Sequence, residues 1–243
     1  MTRVALVTGG NKGIGRETAR RLAEAGQKVY IGARDETRGR AAAEELGVGF
    51  VHLDVTDDDS VAKAAAELEH KERRLDVLVN NAGIREPSLA LDDDGVPKPF
   101  KTAAEMTASD ALEVFETNVF GIVRVIHVFL PMLSRSENPA IVNISSGMGS
   151  FAAVTDPDRG ESQVSVPLYS ASKAAVSMLT VQYAKLLPQM RVNAVDPGLT
   201  ATDFTGNDGH SVTDATGPVV SLATAGADSP TGSFLGVEGP SAW

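Results

Sequence analysis

Two groups of residues in this 243-residue chain have the types and spacing to do chemistry. The first is Tyr169-Ser170-Ala171-Ser172-Lys173, which sets a phenol and an ammonium four residues apart, one turn from each other on a shared helix face. A neighbouring ammonium favours the phenolate, so Lys173 is expected to lower the Tyr169 pKa towards the working range of an acid–base catalyst. The second is Thr8-Gly9-Gly10-Asn11-Lys12-Gly13-Ile14-Gly15, a glycine-rich turn between the apolar run Val4-Ala5-Leu6-Val7 and a helical pattern. Strand, tight loop and helix N-terminus together bring an anion against exposed N–H groups at the positive end of a helix dipole. Gly9, Gly13 and Gly15 accept backbone angles closed to other residues and carry no side chain to hold a phosphate away. Their spacing, T-G-x-x-x-G-x-G, is one residue off the general dinucleotide fingerprint.

The elements that must position these groups alternate along the chain. After the glycine turn, Arg16 to Ala25 reads as a helix closed by Gly26, and Lys28 to Ala33 as a strand ending at Arg34-Asp35. Glu36 to Leu46 is a second helix followed by Gly47. Gly49 to Leu53 is a third strand ending at Asp54-Val55. Thr56 can cap the next helix, whose first turn carries Asp57, Asp58 and Asp59. Leu75 to Val79 is a fourth strand ending in Asn80-Asn81-Ala82-Gly83. Glu105 to Leu133 reads as one long helix, Ala140 to Ile144 as a fifth strand running into Ser145-Ser146, and Leu168 to Leu187 as the Tyr/Lys helix. Arg191 to Val195 is a sixth strand ending at Asp196-Pro197-Gly198. Val219 to Ala225 is a short helix and Gly232 to Leu235 a last edge strand.

Strands alternating with helices imply βαβ units, a parallel sheet and helices on both faces. The glycine turn, Arg34, Asp54 and Asn81 all stand at strand ends, and ligands of open α/β sheets sit outside the carboxyl ends of the strands. The pattern points to one cleft. Two segments interrupt the rhythm: a surface loop at 85–101, with three prolines, and a polar stretch at 153–166. The segment 199–218, rich in Thr, Gly and Asp, suits a substrate lid. Without repeats or a linker, one domain spans 1–243.

Composition removes several classes of function. A net charge of −10 argues against nucleic acid as a partner, since phosphate contacts need clustered Lys and Arg. Zero cysteines exclude a thiol nucleophile and thiolate metal sites, and the four dispersed histidines give no ligand spacing, so no metal is expected. The start lacks the apolar core of a signal peptide, and the apolar stretch Val119 to Leu133 is broken by Arg124 and His127 and reads as too short for a bilayer. The expectation is a soluble cytoplasmic protein with no membrane partner.

Taken in order, Thr8-Gly-Gly-Asn-Lys-Gly-Ile-Gly15, Asn80-Asn-Ala-Gly83, Ile141-Val-Asn-Ile-Ser-Ser146, Tyr169-x-x-x-Lys173 and Pro197-Gly198 resemble the short-chain dehydrogenase/reductase family from about Arg3 to the end of the chain. The first half is most similar to monomeric carbonyl reductases, through Gly9 to Gly15, Ala33-Arg-Asp35 and Leu75 to Ile84. The resemblance implies a doubly wound Rossmann-type sheet of about seven mostly parallel strands. It implies that Tyr169 is the general acid of carbonyl reduction and that Lys173 lowers its pKa and bonds the nicotinamide ribose. Ser146 holds the substrate oxygen, and Asn118 positions a water linked to Lys173. Ser145 competes with Ser146, and in the family's pair the second serine is catalytic. The cofactor surface implied is Gly9, Asn11, Lys12, Gly13, Ile14, Gly15, Arg34, Asp54, Val55, Asn81, Ala82, Gly83, Pro197, Gly198, Leu199 and Thr202, with Tyr169 and Lys173.

Cofactor choice turns on the end of the second strand. NAD-dependent relatives place a carboxylate there for the ribose 2′-hydroxyl. Here Ala33 takes that place, Arg34 follows, and Lys12 adds a second cation, which suits the 2′-phosphate of NADP(H). Asp35 is expected to face solvent or pair with an arginine. Asp54 is expected to meet the adenine amino group, to cap the following helix, or both. The leading reading is an NADPH-dependent reductase of a ketone or aldehyde. The alternatives are an NADP-dependent alcohol dehydrogenase working oxidatively, or a non-catalytic NADP-binding regulator. Both long helices are apolar all round, and the polar 153–166 stretch is too short to cover them, so a homodimer or homotetramer is expected.

Overall fold

The computed structural model describes residues 2–85 and 101–243. The loop expected at 85–101 therefore lies outside the described residues except at its two ends. The apolar run after Arg3 becomes β1 (Val4–Thr8), followed by α1 (Gly13–Glu24), β2 (Lys28–Ala33), α2 (Glu36–Leu46), β3 (Gly49–His52), α3 (Asp58–Glu72) and β4 (Val77–Asn80). The second half continues with α4 (Ala108–Phe115), a π-turn (Glu116–Phe120), α5 (Gly121–Leu133), β5 (Ala140–Ile144), α6 (Phe151–Thr155) and α7 (Pro167–Leu186). It ends with β6 (Arg191–Val195), α8 (Val212–Thr224), β7 (Phe234–Gly236) and β8 (Gly239–Pro240).

The sheet order is β3-β2-β1-β4-β5-β6-β7-β8, with every pair parallel except β7 with β8. Alternate residues of one strand feed two separate cores, which is why its strands read as unbroken apolar runs. Leu6, Leu78, Ile141 and Val192 pack with Leu68 of α3, Val125, Ile126 and Phe129 of α5 and Val176 of α7. Val7, Val79, Val142 and Val195 pack on the other side with Leu22 of α1, Ala42 of α2 and Leu222 of α8. From β1 the chain winds outward through β2 to β3, then returns to start β4 on the other side of β1. That reversal opens a crevice at the carboxyl ends of β1 and β4, where the glycine turn and Asn81 emerge.

Several expectations are corrected by local chemistry. Asp57, not Thr56, caps α3, accepting from the N–H groups of Asp59 at 2.8 Å and Ser60 at 3.2 Å. The long helix starts at Ala108 behind a Thr107/Asp110 capping box rather than at Glu105, and it is interrupted by the π-turn. The whole helix from Ala108 to Leu133 extends the Val119–Leu133 run and is long and apolar enough to cross a membrane by length and composition. Its residues Val114, Val125, Ile126, Phe129 and Leu133 are buried in this fold. The expected lid is shorter at its far end, because Ser211 caps α8 and encloses Pro218 within the helix. The last strand is not an edge: β8 folds back antiparallel over β7.

Candidate active site

The crevice is stapled at its floor. The Thr8 hydroxyl accepts from the N–H groups of Asn81 and Ala82, both at 3.0 Å, while the Asn81 amide donates to the carbonyls of Thr8 at 2.9 Å and Gly9 at 3.1 Å. The glycines serve two purposes here. Gly9 and Gly13 have φ of 64° and 54°, the left-handed region. Gly15 is instead required by contact: a Cβ there would meet Asn81 Nδ2 at 2.4 Å and Gly9 O at 2.5 Å. A Cβ on Gly13 would meet only Thr202, at 3.4 Å. The N-terminus of α1 at Gly13 has no side-chain cap, whereas α2, α3, α4 and α8 are capped by Asp35, Asp57, Thr107 and Ser211. Its first N–H groups are thus left for an anion, and the set fits a dinucleotide diphosphate.

Around this cradle stand the other residues expected to meet a cofactor. Ala33 is buried and Arg34 exposed. Asp35 caps α2 through the Arg38 N–H at 2.9 Å and pairs with the Arg38 guanidinium at 3.3 Å. Asp54 receives the N–H and hydroxyl of Thr56 at 2.9 and 2.7 Å, so it organises the turn before α3. Those bonds and Arg34 hold its carboxyl below the usual range, although burial, the largest influence, pushes it up. Val55 is buried against Gly121. Lys12 pairs with Asp203 at 3.2 Å, and Leu199 is exposed on the segment after Pro197-Gly198.

The four residues expected to act together meet at the ends of β4 and β5 and on α7. Ser146 leaves β5, accepts from the Met148 N–H at 3.2 Å, and hydrogen-bonds the Tyr169 phenol. Ser145 is buried and occupied, donating to the Lys173 carbonyl at 3.1 Å and bonding the Ser177 hydroxyl at 2.9 Å. Lys173 is buried, its Nζ donating to the Ile144 carbonyl at 2.7 Å and lying 5.6 Å from the Tyr169 ring centre. Asn118 sits inside the π-turn, a distortion common at functional sites because it re-aims a side chain. Its carboxamide clamps Ile84, accepting from the N–H at 2.8 Å and donating to the carbonyl at 3.0 Å.

Sequence reasoning missed Ser172, which lies within the Tyr-x-x-x-Lys run. Fully buried, it accepts from Asn118 Nδ2 at 3.0 Å and donates to the Tyr169 carbonyl at 2.7 Å, tying the π-turn to α7. Asp196 and Glu161 were also missed. A Cβ on Gly147 would lie 2.9 Å from Asp196 Oδ2 and 2.4 Å from Glu161 Oε1, so the 153–166 stretch reaches the residue beside Ser146. No spacing rule links these positions, which only the fold brings together.

The expected direction of the Tyr169 shift is reversed. Burial pushes the phenol up to about 12 and the Asp196 carboxylate adds to this, outweighing the hydrogen bond from Ser146. Burial also brings the Lys173 ammonium down to about 8. Desolvation therefore sets the direction of the shift for both groups. A phenol protonated well above neutral pH, bonded to a serine hydroxyl and backed by a buried amine, can give a proton to an oxygen gaining negative charge.

The short chain dehydrogenase profile matches residues 3–212. The chain belongs to that family. It is 33% identical over 300 positions to (-)-isopiperitenone reductase of Mentha piperita, covering 96% of each chain. It is 31% identical over 290 positions to salutaridine reductase of Papaver bracteatum, covering 96% of this chain and 93% of that one. The structure of salutaridine reductase from Papaver somniferum superposes with a TM-score of 0.80 at 28% identity, covering 96% and 99% of the two chains. This member of the family is an oxidoreductase that uses a nicotinamide cofactor and acts on CH–OH or C=O groups of a small molecule.

Proposed function

We propose that the chain is an NADPH-dependent reductase that converts a ketone or aldehyde into an alcohol, with Tyr169 as general acid. The observation that supports this most is the Ser146–Tyr169 hydrogen bond backed by buried Lys173. A bound nicotinamide supplies the hydride. Ser146 orients the substrate oxygen and stabilises its developing charge, and Tyr169 delivers the proton. Lys173 holds a positive charge beside the phenol, and Asn118, fixed by Ile84 and Ser172, orders the proton path behind it. The diphosphate would rest on the uncapped N-terminus of α1, with Asn11 and Ile14 in the turn, and the nicotinamide against Pro197, Gly198, Leu199 and Thr202.

The preference for NADPH rests on Arg34 and Lys12 as cations and on the diversion of Asp35 to α2. The Lys12–Asp203 pair is largely exposed and contributes at most about 1 kcal/mol, so a phosphate can displace it. Arg34→Ala is expected to weaken NADPH binding about tenfold or more while leaving NADH nearly unchanged, since a charge-assisted hydrogen bond contributes about 1.5–3 kcal/mol. Cofactor oxidation with a panel of ketones, aldehydes and quinones tests both halves of the reading. Equal use of NADPH and NADH by the unmutated protein contradicts the cofactor assignment, and failure on every carbonyl contradicts the reaction.

We also propose a homodimer or homotetramer joined through the outer faces of the two long helices. Leu112, Phe120 and Val123 of the α4–α5 helix and Met178 and Leu186 of α7 are exposed, a spread of apolar surface that favours association. Light scattering is expected to return at least twice the 25.4 kDa of one chain. Phe120→Asp combined with Met178→Asp is expected to shift it to the monomer mass. A monomeric unmutated protein overturns the proposal.

A further inference from the structure

Arg85 is a cation that the proposed chemistry does not use, placed next to the residues that do. It follows Ile84, whose two backbone groups are held by Asn118, so its Cα is anchored one residue from the catalytic cluster. Its guanidinium lies 5.7 Å from the ring centre of Phe204 on the lid segment. The same ring meets Tyr169 with centres 5.8 Å apart and planes tilted by 54°. Because the two contacts share one ring, the guanidinium lies no more than about 12 Å from the Tyr169 ring. That is within the span of one small substrate.

Arg85 is half-buried, and burial acts against its charge. Arg20, Arg74, Arg124, Arg135 and Arg159 each pair with a carboxylate, whereas Arg85 meets only the Phe204 ring among the described residues. A ring face satisfies none of the five N–H donors of a guanidinium. A planar carboxylate satisfies two of them side by side and supplies the missing charge. The ring of Phe204, itself partly exposed, offers an apolar face between that cation and the phenol.

We propose that Arg85 and Phe204 form a substrate-recognition pair, so that the preferred substrate is a carbonyl compound carrying a carboxylate at the far end of an apolar, ring-sized body. Resting on the reductase reading above, this adds the class of substrate: Phe204 packs on the body, Arg85 grips the carboxylate, and the carbonyl reaches Tyr169 and Ser146.

The test compares 4-acetylbenzoate with its uncharged methyl ester in the unmutated protein, Arg85→Gln and Arg85→Lys, using kcat/KM for NADPH oxidation. Calorimetric titration of 4-isopropylbenzoate, which has no carbonyl, into the protein saturated with NADP follows recognition without turnover. The unmutated protein is expected to favour the acid over the ester. Arg85→Gln should reduce that acid-to-ester ratio about tenfold or more and weaken 4-isopropylbenzoate binding by a similar factor, and Arg85→Lys should restore part of both. An unchanged ratio in Arg85→Gln, as expected if Arg85 merely clasps the lid, overturns the proposal, as does unaltered 4-isopropylbenzoate binding. If neither carbonyl compound is reduced yet 4-isopropylbenzoate binds in an Arg85-dependent way, the recognition pair stands and the reductase reading falls.

Discussion

Tyr169→Phe is expected to lower kcat for carbonyl reduction by at least about two orders of magnitude, the usual scale of a positioned general acid. The substitution removes one oxygen from a ring whose contacts are otherwise kept, including the Phe204 ring at 5.8 Å. The fold is therefore expected to survive. NADPH affinity should change little, because the contacts expected at the α1 cradle and Arg34 do not involve the phenol oxygen. The effect belongs on kcat, since the proton is needed only as negative charge grows on the substrate oxygen. With the phenol pushed up to about 12, Tyr169 is protonated across neutral pH, so reduction should persist over that range in the unmutated enzyme. Single-turnover rates with bound NADPH decide the matter. A variant retaining near-normal turnover removes Tyr169 from the mechanism.

What the sequence revealed, and what it concealed, follows from the range of the interactions involved. β5 and β6 are legible to the residue because each is a short run built on β-branched residues and stopped by polar or proline-containing turns. The pairing of Tyr169 with Lys173 is legible because one helix turn sets them four residues apart, whereas Ser146 and Asn118 are indicated only by the family resemblance. The π-turn was not, because it depends on Asn118 finding Ile84 across 34 positions of sequence. Ser172 was hidden for the same reason, its second partner being Asn118, 54 positions away. The pKa direction is not legible, because spacing shows the Lys173 charge but not the desolvation that acts on both groups. The start of α8 was missed because the Thr/Gly/Asp composition of 199–218 masks the Ser211 cap.

Lys173→Met is expected to abolish efficient reduction and at the same time stabilise the cofactor-free protein. The Lys173 ammonium is brought from 10.5 to about 8 by burial alone, so its charged form costs the fold about 3 kcal/mol at neutral pH. Methionine fills a similar volume without the charge. It forfeits the 2.7 Å charge-assisted hydrogen bond to the Ile144 carbonyl and leaves that buried acceptor unpaired, at a cost of about 1–3 kcal/mol, so the net gain is up to about 2 kcal/mol. For a chain of this size that corresponds to a rise in Tm of up to roughly 8 °C. The sign of the pH dependence follows from linkage. Between about 8 and 10.5 the unfolded chain holds a proton on this lysine that the folded one has released, so unmutated stability rises with pH across that window. The variant lacks this contribution, and its advantage should shrink as the pH climbs from 7 to 10. Urea unfolding at both pH values, without cofactor, measures the difference. A variant less stable than the parent at pH 7, or one whose advantage is unchanged at pH 10, would show that the buried ammonium is not a burden on the fold. The expected result makes Lys173 a charge retained at the expense of stability, as the proposed proton transfer from Tyr169 requires.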